Sequence, residues 1–303
     1  MRKYLSILIA IAILAALLII SQVGSSQQWH PVRGGITFGI SGMALVQQQN
    51  DTLDFLIVHD NKQKDQGRLA IISIKRNEQP QYLPVQWPNN TDLPIDLEAL
   101  TAIPKTENSS FMAFSSLGKI YQISLDKNNK TVSPIKAFSL PTIPEKSNFE
   151  GFSLQEIDGK ILAVWAHRGE GEEPARLYWG TLDLNSDRIQ PQGSIKVKVP
   201  WPISQYVRHI SDLKIDKAGI LFISSATDPG DDGPFASAIY VAGAFKLTGN
   251  KFEFRLNPEL TPIDRDNYHK IEGLELVPGA AGGLVFGSDD ENMGSSVYVN
   301  GVN

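Results

Sequence analysis

The stretch Ile271-Glu272-Gly273-Leu274-Glu275-Leu276 decides the fold, because similar stretches recur along the chain. Four further copies precede it: Ile40–Leu45, Leu97–Ala102, Phe149–Leu154 and Ile210–Ile215. The residues in the second position of the five copies are Ser41, Glu98, Glu150, Ser211 and Glu272, and successive copies lie 52 to 61 residues apart. Such a regular interval indicates a repeat architecture with five units.

Each unit contains several short runs of apolar, β-branched and aromatic residues that are separated by Gly, Pro, Asn and Asp, which is the pattern of an all-β chain. The recurring stretch supplies the first strand of a unit, and two further strands follow it. Four units also show a fourth strand: Gln81–Trp87, Ser133–Leu140, Ser194–Val199 and Lys251–Leu256. Four strands per unit predict a five-bladed β-propeller over residues 28–303. A six-bladed ring is disfavoured by the number of residues.

The fifth unit shows no fourth strand before Asn303. The pair Trp87-Pro88 ends one fourth strand and Trp201-Pro202 follows another, and Trp29-His30-Pro31 precedes Ser41 by a similar interval. We therefore expect residues 28–32 to form the missing strand and to close the ring. Closure removes the unpaired sheet edges that an open ring would expose.

The N-terminus carries a targeting pattern. Arg2 and Lys3 precede the apolar run Leu5–Ile20, which Ser6 alone interrupts. This pattern predicts a hydrophobic helix within residues 1–27 that acts as a signal peptide or as an uncleaved signal anchor. Because the positive charges come before the apolar run, the propeller is expected outside the cytoplasm, in the periplasm or the extracellular space.

Composition excludes several classes of protein. The chain of 303 residues has no cysteine, so disulfides, thiolate catalysis and cysteine-based zinc sites are ruled out. The formal net charge of −5 argues against nucleic acid as a partner.

The second-position residues are expected to converge on the channel axis. Three carboxylates in one channel repel each other unless a cation neutralises them. Calcium accepts carboxylate, hydroxyl and carbonyl oxygens, whereas zinc favours nitrogen and sulfur. We therefore predict an axial Ca²⁺ ion with five ligands: Ser41, Glu98, Glu150, Ser211 and Glu272. The alternative is a ring of the same residues that is hydrogen-bonded through water and holds no metal.

The loops between the second and third strands of each unit should open on the same face as the starts of the first strands. They carry the candidate catalytic residues Asp60, Asp228 and Asp289, which would act as general bases or would position water. Nearby cations suited to phosphate are Lys119, Arg168, Arg208 and Lys270. The alternative is that these acids are turn formers without a catalytic role.

The order Ser, Glu, Glu, Ser, Glu, together with Lys270–Leu276 and Ile210–Ile215, resembles the calcium-activated nucleotidase (apyrase) family. The Glu-Gly-Leu phrase is also similar to esterase-like phytases and SdiA-regulated propellers. The resemblance implies a five-bladed propeller with calcium in its channel, and a calcium-dependent hydrolase of a small phosphorylated substrate. The loops do not match that family's nucleotide contacts. A second interpretation is therefore a non-catalytic, membrane-anchored propeller that binds a protein or a ligand in the cell envelope.

Overall fold

The computed structural model describes residues 29–75, 78–106, 109–279 and 283–300. Over these ranges the chain forms antiparallel β-sheets and two single-turn 3₁₀ helices, Ile36–Phe38 and Glu291–Met293. The predicted N-terminal hydrophobic helix lies outside the described residues. Among the residues that are described, none belongs to a helix long and apolar enough to span a bilayer.

Three blades follow the simplest pattern, in which four consecutive strands pair in order from the channel outwards. The first strand of the chain, β1 (His30–Arg33), lies apart from them. Blade 1 contains β2 (Gly42–Gln49), β3 (Thr52–Val58), β4 (Leu69–Lys75) and β5 (Gln81–Val85). Blade 2 contains β6 (Leu97–Ala102), β7 (Ser110–Ser115), β8 (Lys119–Asp126) and β9 (Thr131–Ser139). Blade 3 contains β10 (Phe149–Ile157), β11 (Lys160–His167), β12 (Ala175–Asp183) and β13 (Arg188–Val197).

The fourth blade has a divided outer edge. It contains β14 (Val207–Ile215), β15 (Ile220–Thr227), β16 (Ser237–Thr248), β17 (Lys251–Leu256) and β18 (Pro262–Asp266). The second half of β16 pairs with β17, and the first half pairs with β18. The strand β18 was not predicted, because its five residues begin with proline and include three charged side chains, so they lack an apolar run.

The N-terminal strand completes the fifth blade. This blade contains β19 (Ile271–Leu276), β20 (Leu284–Ser288) and β21 (Ser295–Asn300), and β1 pairs with β21 on the outside. Just before β1, the Trp29 indole Nε1 donates a hydrogen bond to Asp266, at 2.8 Å, and its ring packs on Tyr298. The prediction of an all-β, five-bladed propeller with four-stranded blades is confirmed.

The innermost strands carry small residues where the blades approach each other. A Cβ added to Gly42 would lie 2.7 Å from the Cα of Ala99 in the next blade, which is too close for a side chain. A Cβ on Gly151 would lie 2.8 Å from Leu213. The next position along each strand is apolar and buried between blades: Met43, Leu100, Phe152, Leu213 and Leu274. Burial of each such side chain stabilises the ring by roughly 1.5–3 kcal/mol.

Candidate functional site

One end of the central channel gathers most of the polar and charged residues that the sequence singled out. Four of them lie at the starts of innermost strands and three lie in the loops that follow second strands: Ser41, Glu98, Glu150 and Glu272, and Asp60, Asp228 and Asp289. Three cations and one further acid lie among them: Arg168, Arg208, Lys270 and Glu291. We call these eleven residues the mouth.

Arg208 joins two blades and one loop at the mouth. Its guanidinium lies 2.6 Å from Glu272 and 3.7 Å from Glu150, and it also donates to Asp228. Burial lowers the pKa of Arg208, but these three carboxylates raise it by more, so its pKa is raised overall. In return, Arg208 holds the pKa of Asp228 below its usual value although burial opposes this. Arg208 is therefore a permanent internal counterion.

Lys270 is a second internal counterion, on the side of the fifth blade. Its ammonium is buried, lies 3.5 Å from Glu272 and 3.4 Å from Asp289, and donates a hydrogen bond to Glu291. Burial alone would lower the pKa of Lys270, but Glu272 and Asp289 raise it by more. The third cation, Arg168, is more exposed than the other two and lies 3.2 Å from Glu150.

The mouth nevertheless has more acids than cations. Its seven carboxyl groups face three cationic side chains, so four carboxyl groups lack a counterion of their own. The pKa is raised at four of the seven, in each case first through burial: Asp60, Glu98, Glu150 and Asp289. Protonation of these carboxyl groups reduces the excess negative charge, and a bound cation would reduce it in the same way.

Glu98 is the most strongly perturbed acid of the first three blades. Burial raises its pKa well above the usual value, and the adjacent carboxyl groups of Glu150 and Asp60 raise it further. Within the described residues its carboxyl group forms no hydrogen bond and no ion pair. Glu150 differs, because Arg208 and Arg168 oppose the effect of burial on its pKa. Glu98 therefore keeps its proton to a higher pH than Glu150 does.

The three predicted catalytic aspartates lie at the mouth in different environments. Asp228 is bound by Arg208, and Asp289 is buried beside Lys270. Asp60 has no hydrogen-bond or ion-pair partner in the described part of the chain, and burial together with Glu272 raises its pKa to about 6. Of the three, Asp60 alone combines an unpaired carboxyl group with contact to an open cavity.

The five predicted calcium ligands do not form one continuous set. Glu150 and Glu272 are paired with arginine, and the Ser211 hydroxyl donates to the Ile271 carbonyl oxygen at 2.7 Å. Ser41 Oγ is buried without a partner, which leaves it and Glu98 as the oxygens free to meet a cation. Two side chains fall short of the six to eight oxygens that calcium takes. In the described ranges, no group of three or more His, Cys, Asp or Glu side chains is placed to hold a metal ion. Axial calcium remains a prediction.

Beyond the mouth, the channel contains a second polar group that the sequence did not reveal. Lys214 extends from β14 to the carbonyl oxygens of Met43, at 2.7 Å, and Leu100, at 2.5 Å, and its ammonium lies 3.4 Å from Glu275. Asp212 accepts hydrogen bonds from the backbone of Leu213 and, in the next blade, Leu274. We call Asp212, Lys214 and Glu275 the channel clasp. A signal was present in the sequence, since Lys214 and Glu275 share the fifth position of the recurring stretch.

Two depressions lie at this end of the propeller. A cavity of about 250 Å³ is lined by Asp60, Lys62 and Glu291, among others. A groove of about 520 Å³ lies over the third and fourth blades, where Glu170 and Ile203 line it. Of the ten large apolar side chains that are exposed in the described ranges, eight lie in the connections between strands at this end: Ile36, Ile95, Leu117, Ile143, Ile203, Tyr206, Tyr268 and Met293. An exposed apolar rim around a charged centre is typical of a binding surface.

No protein-family model matches the sequence, and no curated protein is significantly similar to it. Solved structures do share the fold. A thermostable family-43 glycoside hydrolase is 9% identical, with a TM-score of 0.50 over 86% of this chain and 88% of that chain. An exo-β-1,3-galactanase from Clostridium thermocellum is 10% identical, with a TM-score of 0.51 over 88% of this chain and 60% of that chain. A further glycoside hydrolase is 13% identical, with a TM-score of 0.51 over 88% and 62%.

These neighbours correct the family expected from the sequence. The propellers similar to this chain are glycoside hydrolases, so the resemblance to calcium-activated nucleotidases, phytases and SdiA-regulated propellers is wrong. Residues of the sequence stretches on which the resemblance rested form contacts between blades here. Ser211 donates a hydrogen bond to the next blade, and Glu272 pairs with Arg208. Phosphate-ester hydrolysis thereby loses the resemblance on which it rested. At identities of 9–13%, the new similarity establishes a shared five-bladed fold.

Proposed function

We propose that the chain is a glycoside hydrolase whose reacting carboxyl groups are Glu98 and Glu150. The observation that carries the proposal is the contrast between these neighbours: Glu98 is buried without a counterion, and Glu150 is paired with Arg168 and Arg208. Glycosidic hydrolysis needs two carboxyl groups in opposite protonation states. Environments that separate the pKa values of two carboxyl groups assign the acid and the base.

In the proposed reaction, Glu98 donates its proton to the glycosidic oxygen while the bond from that oxygen to the sugar carbon breaks. A water molecule supplies the new oxygen at that carbon, and its proton passes to the carboxylate of Glu150. Arg168 and Arg208 oppose the effect of burial on the pKa of Glu150 and so favour its carboxylate form. The unpaired carboxyl of Asp60 lies beside the open cavity and provides a route by which Glu98 regains a proton from solvent.

The surface around the mouth supports a saccharide as the substrate. Tyr268 and Ile203 are 78% and 87% exposed, and Tyr206 lies beside the groove that Ile203 lines. Sugars present apolar C–H faces that pack on such side chains, and hydroxyl groups that bond to the acids and amides between them. The names of the structural neighbours point to the same substrate class.

Calcium, membrane attachment and an extracytoplasmic location also belong to the proposal. The targeting pattern of residues 1–20 supports attachment and location, and the excess of carboxyl groups over cationic side chains supports a cation at the mouth. Metal analysis of the purified protein tests the ion: about one calcium per chain supports it, and none contradicts it.

A second candidate function is binding without turnover, of a glycan or of a protein partner in the envelope. The observation that favours it is that Glu150 and Glu272 are both paired with arginine. A catalytic base must weaken such an ion pair before it accepts a proton. Both candidates use the same mouth and rim, so activity separates them.

The test compares the wild-type protein with Glu98→Gln on β-1,3-galactan, other neutral polysaccharides and nitrophenyl glycosides. We expect the wild type to release sugar and Glu98→Gln to lose about 10²–10⁴-fold in rate, because the proton donor is gone. The matched control is Glu253→Gln, an exposed glutamate on the outer strand β17 of the fourth blade, which should keep the wild-type rate. Binding of saccharides without turnover would favour the second candidate, and wild-type inactivity on the whole panel contradicts the first.

A further inference from the structure

The channel clasp closes the propeller axis with one buried cation. The Lys214 side chain is 3% exposed and crosses from the fourth blade to the first and second. It donates to the carbonyl oxygens of Met43 and Leu100 and faces the carboxylate of Glu275 in the fifth blade. A single ammonium therefore links the inner strands of four blades.

The groups around the ammonium form a built site. Besides the ammonium, Glu275 meets the backbone: Oε2 accepts from Leu45 N at 3.3 Å, and Oε1 accepts from Leu276 N at 2.8 Å. Asp212 is held by two backbone N–H groups, one from each of two blades. These bonds fix both carboxyl groups independently of Lys214. Removal of the lysine side chain would thus leave a preformed set of oxygens.

The ligand set matches a cation with little specificity for the ion. Carbonyl and carboxylate oxygens coordinate hard cations in proteins, and rings of carbonyl oxygens replace the hydration shell of alkali ions. Three hydrogens of an ammonium can meet the same three oxygens. The other blades offer no competing cation at this position of the recurring stretch, since they carry Ala44, Thr101 and Ser153.

We propose that Met43 O, Leu100 O and the Glu275 carboxylate form an axial cation-binding site that the protein occupies with the ammonium of Lys214. The ligand class of this site, once the lysine is shortened, is a small monovalent cation: an alkylammonium or an alkali ion. The proposal does not depend on the glycosidase function, because the clasp lies beyond the mouth.

The test measures the thermal unfolding of the full chain and of Lys214→Ala in ethylammonium, potassium and tetramethylammonium chlorides at equal ionic strength. Ethylammonium should raise the Tm of Lys214→Ala by at least about 2 °C above the tetramethylammonium control, which cannot donate a hydrogen bond. The wild-type Tm should not distinguish the salts. Equal Tm values of the variant in all three salts overturn the proposal.

A double variant, Lys214→Ala with Glu275→Gln, checks the ligand set, and its Tm should lose most of the selective response. If Lys214→Ala does not fold in buffer, the refolding yield in the three salts replaces the Tm. Selective recovery in ethylammonium or potassium supports the site. A yield that is equally low in every salt contradicts it.

Discussion

The mouth and the channel clasp both lie along the innermost strands, yet they balance charge in opposite ways. At the mouth, seven carboxyl groups share three cations beside an open cavity, and four of the carboxyl groups have raised pKa values. In the clasp, a single ammonium meets two carbonyl oxygens and a carboxylate and is almost fully buried. The comparison separates a region with unsatisfied groups, which suits chemistry, from a region with satisfied groups, which suits closure.

The comparison also changes how the axial carboxylates should be interpreted. Repulsion between them calls for positive charge, and calcium was the cation that the sequence predicted. The protein supplies much of that charge itself through Arg208, Lys270 and Lys214. Any calcium bound at the mouth would therefore add to an existing network of positive charge.

The largest effect is expected from Lys214→Met, which keeps most of the length of the side chain and removes its charge. Glu275 then loses its cation and the carbonyl oxygens of Met43 and Leu100 lose their donor, so the free energy of unfolding should fall by about 3–5 kcal/mol. Urea unfolding measures this value. The matched control is Lys217→Met in the exposed turn after β14, which should change it by less than about 0.5 kcal/mol. If both variants change the free energy of unfolding by similar amounts, Lys214 contributes no more to stability than a surface lysine does.

A smaller effect should follow at the mouth from Arg208→Met, because it leaves Glu150, Glu272 and Asp228 without their shared cation. We expect the free energy of unfolding to fall by about 2–4 kcal/mol. This is less than for a fully buried ion pair, because some solvent reaches the site. Arg168→Met is the control, since its side chain is 21% exposed, and it should cost at most about 1 kcal/mol. The account of Arg208 as the central counterion is wrong if Arg168→Met is the more costly change.

The pH dependence of stability provides a third comparison, between the wild type and Asp212→Asn. Burial raises the pKa of Asp212 to about 8, so between about pH 4 and pH 8 the folded state binds a proton that the unfolded state has released. Asp212 therefore makes the wild type progressively less stable as the pH rises through this window.

Asp212→Asn should lack this decline, so its stability relative to the wild type should improve from pH 4 to pH 8. The effect of His59, whose pKa is lowered by burial to about 4, is common to both proteins and cancels in the difference. Urea unfolding at several pH values measures the difference, and a constant difference across the window would show that Asp212 ionises normally.

The repeat made the fold predictable. The recurring stretch marks all five innermost strands, and the Trp-Pro pairs located the N-terminal segment that pairs with β21. Periodicity succeeds here because four of the five blades place a small residue, and all five then place an apolar one, where the strands converge, as at Gly42 and Met43.

The site was only partly predictable, because β14 departs from the other inner strands. In β6, β10 and β19 the register shifts at a single extra residue, whereas in β14 it shifts between Arg208 and Asp212. This longer irregularity brings Arg208 to the mouth and turns the Ser211 hydroxyl toward Ile271. A bulge of that length leaves no mark in the hydrophobic pattern, so the alignment favoured Ser211 and passed over Asp212 and Lys214.

The most direct test of the central claim is the protonation of Glu98 and Glu150 in the resting protein. Carbon NMR of the protein labelled at the glutamate carboxyl groups follows every carboxyl through a pH titration, and Glu98→Gln and Glu150→Gln assign the two signals. We predict that the Glu98 signal stays in its protonated position at neutral pH, while Glu150 is ionised at a lower pH than Glu98. Two signals that titrate together near the ordinary glutamate pKa would contradict the account.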